Sequence, residues 1–334
     1  MKNIILTDSF EDGLKLKDSI RNMHKDFSSI SNYNKNQILS NPRKFKNTNF
    51  IFSTWYMPIF TEEEVKICFP ALIAVFYAAG STKYFAKSFI NQGVRVFSAV
   101  KANAIPVAEF VTAQILLSNK GYFQSQKEYN KPFWKISFNK SRKFSFVRKG
   151  NYNARIGLIG CGTIGSKVVF FLKPYKLQIF VYDPYISDQK IQDLGVKRSS
   201  LEDIFINSDV ISNHLPDIPE TKELINLKLL SLMKENSTFI NTGRGSQVNE
   251  KDLIKTMRNK PSACALLDVT KREPVFPWSP LIRLKNVFLS PHIAGSLSCE
   301  KDRMLEYMLN SYINVVSHKP DGNEVFLKEI SKQT

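Results

Sequence analysis

Three side chains with complementary chemistry stand in the second half of the 334-residue sequence. Arg244 lies between two glycines in "NTGRGS", Glu273 ends "TKRE", and His292 lies in "SPHIAGS". A guanidinium clamps a carboxylate through two hydrogen bonds, and an imidazole gives or takes a proton near neutral pH. A carboxylate beside the imidazole orients the ring and stabilises its protonated form. Together the three suit reversible hydride transfer to a 2-oxo acid, with histidine supplying the proton.

Each of these residues follows an apolar run that is typical of a β-strand. The runs are "STFIN", "CALLDV" and "NVFLS". In an open parallel sheet, ligands bind outside the carboxyl ends of the strands, so the pattern predicts one shared crevice. Taken singly, Arg244 could be a structural ion-pair residue, Glu273 a solvated carboxylate and His292 a packed strand-end histidine.

A glycine-rich turn begins the same half of the chain, in "ARIGLIGCGTIGSKVVFFL". Gly160 permits a tight turn, Gly162 lacks the Cβ that would block a pyrophosphate, and Gly165 allows helix and strand to pack closely. The N–H groups of Thr163 and Ile164 begin the helix and point its positive end at the phosphates. A strand before the turn and an amphipathic helix after it make this a dinucleotide-binding prediction.

Asp183 ends the next strand-like run, "LQIFVYD". A carboxylate at this place accepts hydrogen bonds from the ribose hydroxyls of the adenosine and repels a 2′-phosphate. No arginine stands at positions 184–187 to receive such a phosphate. The sequence therefore favours NAD over NADP as the cofactor.

The elements that must position these residues form two alternating patterns of strands and helices. The first hundred residues contain four strand-like runs and a helix that Thr61 caps. A long apolar helix over 104–117, with Pro106 in its first turn, is predicted to link two domains. The second pattern runs from residue 155 to about 298, and a last helix over 300–316 is predicted to return to the first domain. Such βαβ patterns indicate mostly parallel sheets.

The formal net charge of +17 leaves the class of partner open. The densest segment, 120–149, holds nine Lys or Arg against the single Glu128, with aromatic residues between them. Such interleaving is found in proteins that bind single strands, but it also decorates enzyme surfaces that attract anionic ligands. Without a recognition motif or a repeat, we do not expect a nucleic-acid partner.

Cysteine and hydropathy patterns point to the cytoplasm. The four cysteines show no paired or metal-ligand spacing, so neither a disulfide nor a metal site is expected. The longest apolar stretch, 69–80, is too short for a membrane span. The N-terminus has the length and composition of a first strand rather than a signal peptide.

Several stretches together resemble the D-isomer-specific 2-hydroxy-acid dehydrogenase family over nearly the whole chain. They are "NAIPVAEFVTAQILL", "GLIGCGTIGSKV", "NHLPDIPETKELINLKLLSLMKENSTFINTGRGSQVNEKDLI", "LLDVTKREP" and "SPLIRLKNVFLSPHIAGS". The resemblance implies that Arg244, Glu273 and His292 are the catalytic trio, with His292 as the acid/base.

The resemblance also implies the remaining site residues. The NAD site would be lined by Thr163, Ile164, Asp183, Thr242, Gly243 and Asp268, with Asp268 near the nicotinamide carboxamide. His214, in "SNHLPDIPET", is expected to shape the cofactor loop rather than to perform chemistry. In the family, a glycine-containing loop of the first domain offers N–H groups to the substrate carboxylate. The matching stretch here is "AAGST", with Ala79, Gly80 and Ser81.

The fold implied is α/β, with two Rossmann-like domains. A flavodoxin-like substrate-binding domain would comprise residues 1–102 and 299–334, with an NAD-binding domain inserted at 103–298. Family members are usually homodimers, and the basic segment 118–150 lies where subunits often embrace.

The substrate and one alternative function stay open. The "AAGST" loop lacks the acidic residue that often follows these glycines in the family, so glyoxylate, hydroxypyruvate, phosphoglycerate and bulkier 2-oxo acids are all candidates. Glu273 favours 2-oxo acid reduction, because formate dehydrogenases of this fold have glutamine in its place. The alternative is a non-catalytic NAD(H)-sensing protein resembling corepressors of this fold.

Overall fold

A computed structural model describes residues 2–24, 27–130 and 134–330. The chain divides into two compact units. The first unit contains residues 1–103 and the chain from residue 296 onward, and the second contains residues 104–295.

Helices and strands alternate along most of the described chain. In the first part they are β1 (Lys2–Leu6), α1 (Phe10–Met23), β2 (Ser31–Tyr33), α2 (Lys35–Ser40), β3 (Thr48–Ser53), α3 (Glu62–Cys68), β4 (Ala74–Tyr77), α4 (Ala86–Asn91), β5 (Arg95–Ser98), α5 (Val100–Ser118), α6 (Tyr122–Tyr129) and α7 (Trp134–Phe146). They continue with β6 (Arg155–Ile159), α8 (Thr163–Leu172), β7 (Gln178–Tyr182), α9 (Asp188–Leu194), β8 (Lys197–Arg198), α10 (Leu201–Asn207), β9 (Val210–Asn213), α11 (Leu227–Leu230), β10 (Thr238–Asn241), α12 (Glu250–Asn259), β11 (Cys264–Leu267), α13 (Pro280–Arg283), β12 (Val287–Leu289), α14 (Glu300–Val316) and α15 (Leu327–Ile330). Short 3₁₀ helices cover Pro42–Phe45, Pro219–Thr221 and Gly245–Gln247.

The first unit is built on a parallel sheet of five strands in the order β2-β1-β3-β4-β5. This is the flavodoxin-like order. All four residues of β4 are buried, as expected of a parallel strand that is covered on both faces. Helix α14 contributes Met304, Leu305, Met308 and Leu309 to the same core, so this helix packs in the first unit.

The second unit is built on a parallel sheet of seven strands in the order β12-β11-β10-β9-β6-β7-β8. The strand order reverses between β6 and β9, which is where ligands bind in sheets of this class. The predicted fold class is confirmed, because both units are α/β with parallel sheets.

A local sequence signal explains where helix α3 begins. The Thr61 side chain accepts a hydrogen bond from the backbone N–H of Glu64, while the Glu64 carboxylate accepts one from the Thr61 N–H. This reciprocal capping box fixes the start of α3 where the sequence predicted it. Helix α14 likewise has the predicted bounds.

The predicted start of the linking helix is wrong. Helix α5 begins at Val100 rather than Ala104, which places Pro106 inside the helix instead of in its first turn. The extra turn is held by packing, because Ala102 is fully buried in the core of the first unit.

Helix α5 is also the one helix among the described residues that is long and apolar enough to cross a membrane. Its apolar residues have partners inside the protein, however. Ala102 belongs to the core of the first unit, and Ala108, Val111 and Ile115 belong to a core of the second. These four residues of α5 therefore pack inside the protein.

Because Met308 is fully buried in the first unit, its truncation tests the role of the returning helix. Met308→Ala is expected to lower the free energy of unfolding by about 2–5 kcal/mol, since it leaves a cavity in a packed core. Urea unfolding followed by far-ultraviolet circular dichroism measures this. Met23, 37% exposed at the end of α1, provides the control. If Met23→Ala lowered the free energy of unfolding as much as Met308→Ala does, the assignment of α14 to the core of the first unit would be contradicted.

Candidate active site

The glycine turn joins β6 to α8 at the point where the strand order reverses. Gly160 has a φ of +90°, and a Cβ there would lie 2.7 Å from the carbonyl oxygen of His214. A Cβ on Gly165 would overlap the carbonyl oxygen of Gly160. Both glycines are therefore required by the protein itself, one by its backbone conformation and the other by close packing.

Gly162 differs from these two, because a Cβ there would meet no atom within 4 Å, and its φ is −73°. The first turn of α8 closes with the bond from Ser166 N to Gly162 O, so the N–H groups of Thr163 and Ile164 precede the first bond within the helix. Open space beside helix N-terminal donors fits the pyrophosphate of a dinucleotide.

Asp183 follows β7 and is held against the glycine turn. Its Oδ2 accepts a hydrogen bond from Cys161 N at 2.8 Å, and its Oδ1 accepts one from Tyr185 N at 2.9 Å. The two bonds fix the carboxylate beside the second residue of the turn. It remains partly exposed, as a group that binds ribose hydroxyls must be.

His292 and Glu273 form a direct pair. Nδ1 of the imidazole lies 2.7 Å from Oε2 of the carboxylate, and Oε1 of Glu273 accepts a hydrogen bond from Thr270 N. The His292 side chain is 49% exposed and that of Glu273 is 41% exposed. The structure thus brings these two predicted residues together and leaves the imidazole accessible.

Asp268 anchors the turn that carries His292. Its carboxylate is buried and accepts hydrogen bonds from Ser290 Oγ at 2.6 Å, Ile293 N at 3.0 Å and Ala294 N at 2.9 Å. Its carbonyl oxygen accepts a further bond from His292 N. These bonds hold His292 at a φ of +54°, a conformation that non-glycine residues rarely adopt. The sequence did not indicate this anchoring role, and a cofactor contact by Asp268 stays a prediction.

Arg244 follows β10 on a loop that touches the Glu273 loop. A Cβ on Gly245 would overlap the backbone of Thr270, so only glycine permits this approach. Nη1 of Arg244 donates to Gly243 O at 2.8 Å, and within the described part of the chain no carboxylate pairs with the guanidinium. Its remaining donors are thus suited to an anionic ligand.

Three buried amides that the sequence analysis did not select lie under the Arg244 loop. They are Asn213, Asn241 and Gln247, each at most 1% exposed, and together they form the amide cluster. Asn213 Nδ2 donates to Asn241 Oδ1 at 3.0 Å and to Gln247 Oε1 at 2.7 Å. The sequence feature that could have indicated this cluster is an asparagine at the end of each of two apolar strands, β9 and β10.

His214 and Thr242 contribute to the loops around the glycine turn. The imidazole of His214 is buried, with Nε2 3.0 Å from Ser212 Oγ, and burial lowers its pKa to about 4. It is therefore neutral at pH 7. The Thr242 hydroxyl is also buried and has no hydrogen-bond partner among the described residues. Cofactor contacts by both residues stay predictions.

The loop predicted to bind the substrate carboxylate follows β4 in the first unit. Ser98 Oγ donates to Gly80 O at 2.6 Å and lies 3.4 Å from Ala79 O. In a trans peptide the N–H points opposite the carbonyl, so the N–H groups of Gly80 and Ser81 point away from Ser98. This loop belongs to the first unit, whereas Arg244, Glu273 and His292 belong to the second.

Residues 112–294 match the sequence model of the D-isomer specific 2-hydroxyacid dehydrogenase NAD binding domain. Curated relatives include a D-3-phosphoglycerate dehydrogenase from Archaeoglobus fulgidus, 29% identical over 72% of this chain and 44% of that protein. Another is a glyoxylate reductase from Korarchaeum cryptofilum, 28% identical over 71% of this chain and 70% of that protein. The match therefore spans less than half of the first relative and about two thirds of the second.

Solved structures share the fold of the whole chain. The D-mandelate dehydrogenase of Rhodotorula graminis superimposes with a TM-score of 0.79 at 17% identity, covering 97% of each chain. A D-2-hydroxyisocaproate dehydrogenase superimposes with a TM-score of 0.77 at 20% identity, covering 97% of this chain and 99% of that chain. At these identities the likeness concerns the fold.

The buried His214 predicts how stability depends on pH. Its pKa is about 4 in the folded protein, against an ordinary value of 6.5, so between these values the unfolded chain binds a proton that the folded chain does not. Stability therefore falls as the pH is lowered from 7 towards 4. When the pH is lowered from 7 to 5, the free energy of unfolding of wild type is expected to fall by about 2 kcal/mol more than that of His214→Gln. Urea unfolding at the two pH values measures this difference.

The exposed His318 supplies the control for that measurement. His318→Gln should keep the pH dependence of wild type, because its side chain lies at the surface. Identical pH dependence in wild type and His214→Gln would show that the buried imidazole is not the source of the acid sensitivity.

Proposed function

The chain belongs to the D-isomer specific 2-hydroxyacid dehydrogenase family, and we propose that it interconverts a 2-oxo acid and a D-2-hydroxy acid with NAD as the cofactor. The observation that carries the proposal is the 2.7 Å contact between His292 Nδ1 and Glu273 Oε2. This acid/base pair lies in the same unit as the glycine turn, at the carboxyl ends of the parallel strands.

His292 is the proton donor in the direction of reduction. Because Nδ1 faces Glu273, Nε2 is the nitrogen that gives its proton to the carbonyl oxygen of the 2-oxo acid. The Glu273 carboxylate stabilises the imidazolium before this transfer and keeps the ring in one orientation. In the reverse direction the neutral imidazole takes the hydroxyl proton.

Arg244 binds the substrate. Its planar guanidinium pairs with the substrate carboxylate through two hydrogen bonds and withdraws electron density from the adjacent carbonyl. Within the first unit, the N–H groups of Gly80 and Ser81 point away from Ser98 and suit an anionic group, which supports the proposal that Ala79, Gly80 and Ser81 bind substrate.

The glycine turn and Asp183 are the residues that would hold NAD. The open space at Gly162 and the N–H groups of Thr163 and Ile164 suit the pyrophosphate, and the Asp183 carboxylate suits the ribose hydroxyls. When bound, the reduced cofactor supplies the hydride for C2 of the substrate. A negative charge at Asp183 opposes a 2′-phosphate, which favours NAD over NADP.

A homodimer is the assembly we propose, formed through the hairpin of α6 and α7. The two helices contact each other through Ser125, whose Oγ donates to Ser141 O at 2.8 Å, and through the rings of Tyr129 and Phe138. Three apolar side chains of α7 nevertheless keep large exposed fractions, with Ile136 57%, Phe138 45% and Phe146 69% exposed. A second copy of the hairpin region would cover them.

Four free cysteines support a reducing compartment, the cytoplasm.

The test is the loss of NADH absorbance with purified protein and a panel of 2-oxo acids. The panel extends from glyoxylate and pyruvate through hydroxypyruvate to branched and aromatic members. Turnover with one of them supports the proposal and defines the side-chain size that the site accepts. NADH binding without turnover across the panel would contradict it and favour the sensing protein.

Two glycine substitutions separate cofactor binding from folding. Gly162→Ala should lower the unfolding midpoint less than Gly165→Ala does, because the new Cβ overlaps no protein atom, yet weaken NADH binding about tenfold by occupying the pyrophosphate space. Gly165→Ala should destabilise the protein by about 1–3 kcal/mol, because its Cβ overlaps Gly160. Fluorescence titration with NADH and thermal unfolding measure both. Unweakened NADH binding in Gly162→Ala would place the pyrophosphate elsewhere.

His292→Ala tests the proton donor. We expect kcat to fall about 100- to 10,000-fold with NADH affinity almost unchanged, because proton transfer is lost while the glycine turn is intact. Steady-state kinetics and NADH titration measure the two quantities. Near-normal turnover in this variant would remove His292 from the mechanism.

A further inference from the structure

We propose that the amide cluster fixes the backbone of Arg244, which makes Asn213, Asn241 and Gln247 positioning residues for substrate binding. The inference rests on the proposed function, in which Arg244 binds the substrate carboxylate. It extends that function to side chains inside the protein, which act on the substrate only through Arg244.

The cluster forms where two neighbouring strands end. Asn213 is the last residue of β9 and Asn241 the last of β10, and the two are paired in the parallel register. Gln247 ends the 3₁₀ helix that follows Arg244. All three are at most 1% exposed, so water cannot replace the partners of their amide groups.

All six side-chain polar atoms of the cluster have a partner. Besides the two bonds that Asn213 Nδ2 donates within the cluster, Asn213 Oδ1 accepts from Leu215 N at 3.3 Å. Gln247 Nε2 donates to Leu215 O and Pro216 O, both at 2.9 Å. A buried network in which every side-chain polar atom has a partner is held in place, because a displacement leaves a buried polar group unpaired.

The remaining bonds of the cluster hold Arg244 on both sides. Gln247 Oε1 accepts from Arg244 N at 3.0 Å, and Asn241 Nδ2 donates to Arg244 O at 3.3 Å. Asn241 Oδ1 also accepts from Gly243 N at 3.1 Å. Side-chain amides thus bind both main-chain polar groups of the arginine, and the long side chain extends from a fixed backbone.

A glutamine is suited to this position for a chemical reason. Its oxygen accepts from Arg244 N and Asn213 Nδ2, while its nitrogen donates to two carbonyl oxygens of the neighbouring loop. An apolar side chain of similar volume would leave those donors and acceptors buried without partners. The loop of Arg244 would then relax, and misplacement of a substrate-binding group by about 1 Å costs about 100-fold in rate.

The chain offers a matched control. Gln124 is 5% exposed, its Nε2 donates to Ser262 O and Ala263 O, and its Oε1 accepts from Arg148 Nη2. Gln124→Met therefore removes the same kinds of bond as Gln247→Met, in the same unit, without touching the Arg244 loop. Any general effect of losing a buried amide appears in both variants.

The first measurement is amide hydrogen exchange at Arg244 in the protein without ligands, resolved by fragmentation mass spectrometry. Gln247→Met should speed exchange at this amide about tenfold, because its acceptor is lost, and Gln124→Met should leave it unchanged. Unchanged exchange at Arg244 in Gln247→Met would overturn the proposal.

The second measurement is kinetic. In Gln247→Met, kcat/KM for the 2-oxo acid should fall about 10- to 100-fold with a raised KM for that acid, while KM for NADH stays within about threefold. An equal fall in Gln124→Met, or a fall expressed mainly in KM for NADH, would overturn the proposal. Where Gln247→Met fails to fold, Asn241→Asp removes the donor to Arg244 O and should give the same split between the two KM values.

The two measurements also separate this inference from the proposed function. Suppose that wild type turns over no 2-oxo acid while Gln247→Met speeds exchange at the Arg244 amide. The absence of turnover would then overturn the proposed function, whereas the faster exchange would support the fixing of Arg244 by the amide cluster.

Discussion

Parallel strands that end at one edge of a sheet are the constraint on which the rest of the second unit depends. The glycine turn follows β6, Asp183 follows β7, the Arg244 loop follows β10, and His292 follows β12. Residues far apart in sequence meet because every strand of this sheet runs in the same direction. The chemistry then requires only that each loop be held in place, and buried carboxylate and amide side chains do this.

The sequence was most informative where one residue type has one physical use. Glycines at 160, 162 and 165, a carboxylate after the next strand, and a threonine that caps an acidic first turn each predicted the local structure that is observed. The His292–Glu273 pair was also predictable, because strand ends in a parallel sheet converge and the two groups are chemically complementary.

Features that depend on packing or on pairing between strands were not predictable. Helix α5 begins at Val100, before the start that the preference of Pro106 for a first turn had suggested, and the added turn contains the fully buried Ala102. The three bonds by which the Asp268 carboxylate holds the His292 turn depend on how that turn folds back on β11, which the sequence pattern does not reveal. The amide cluster depends on the register of β9 and β10, which a single sequence does not contain.

The central claim, that this site reduces a 2-oxo acid to a D-2-hydroxy acid, is tested most directly by isotope transfer. Protein, a 2-oxo acid and NADH carrying deuterium on its transferable position are incubated, and the product is examined by mass spectrometry and chiral chromatography. We predict a D-2-hydroxy acid with one deuterium on C2, because hydride arrives at that carbon while His292 protonates the oxygen. A product of L configuration, a product without deuterium, or no product with any 2-oxo acid would contradict the account.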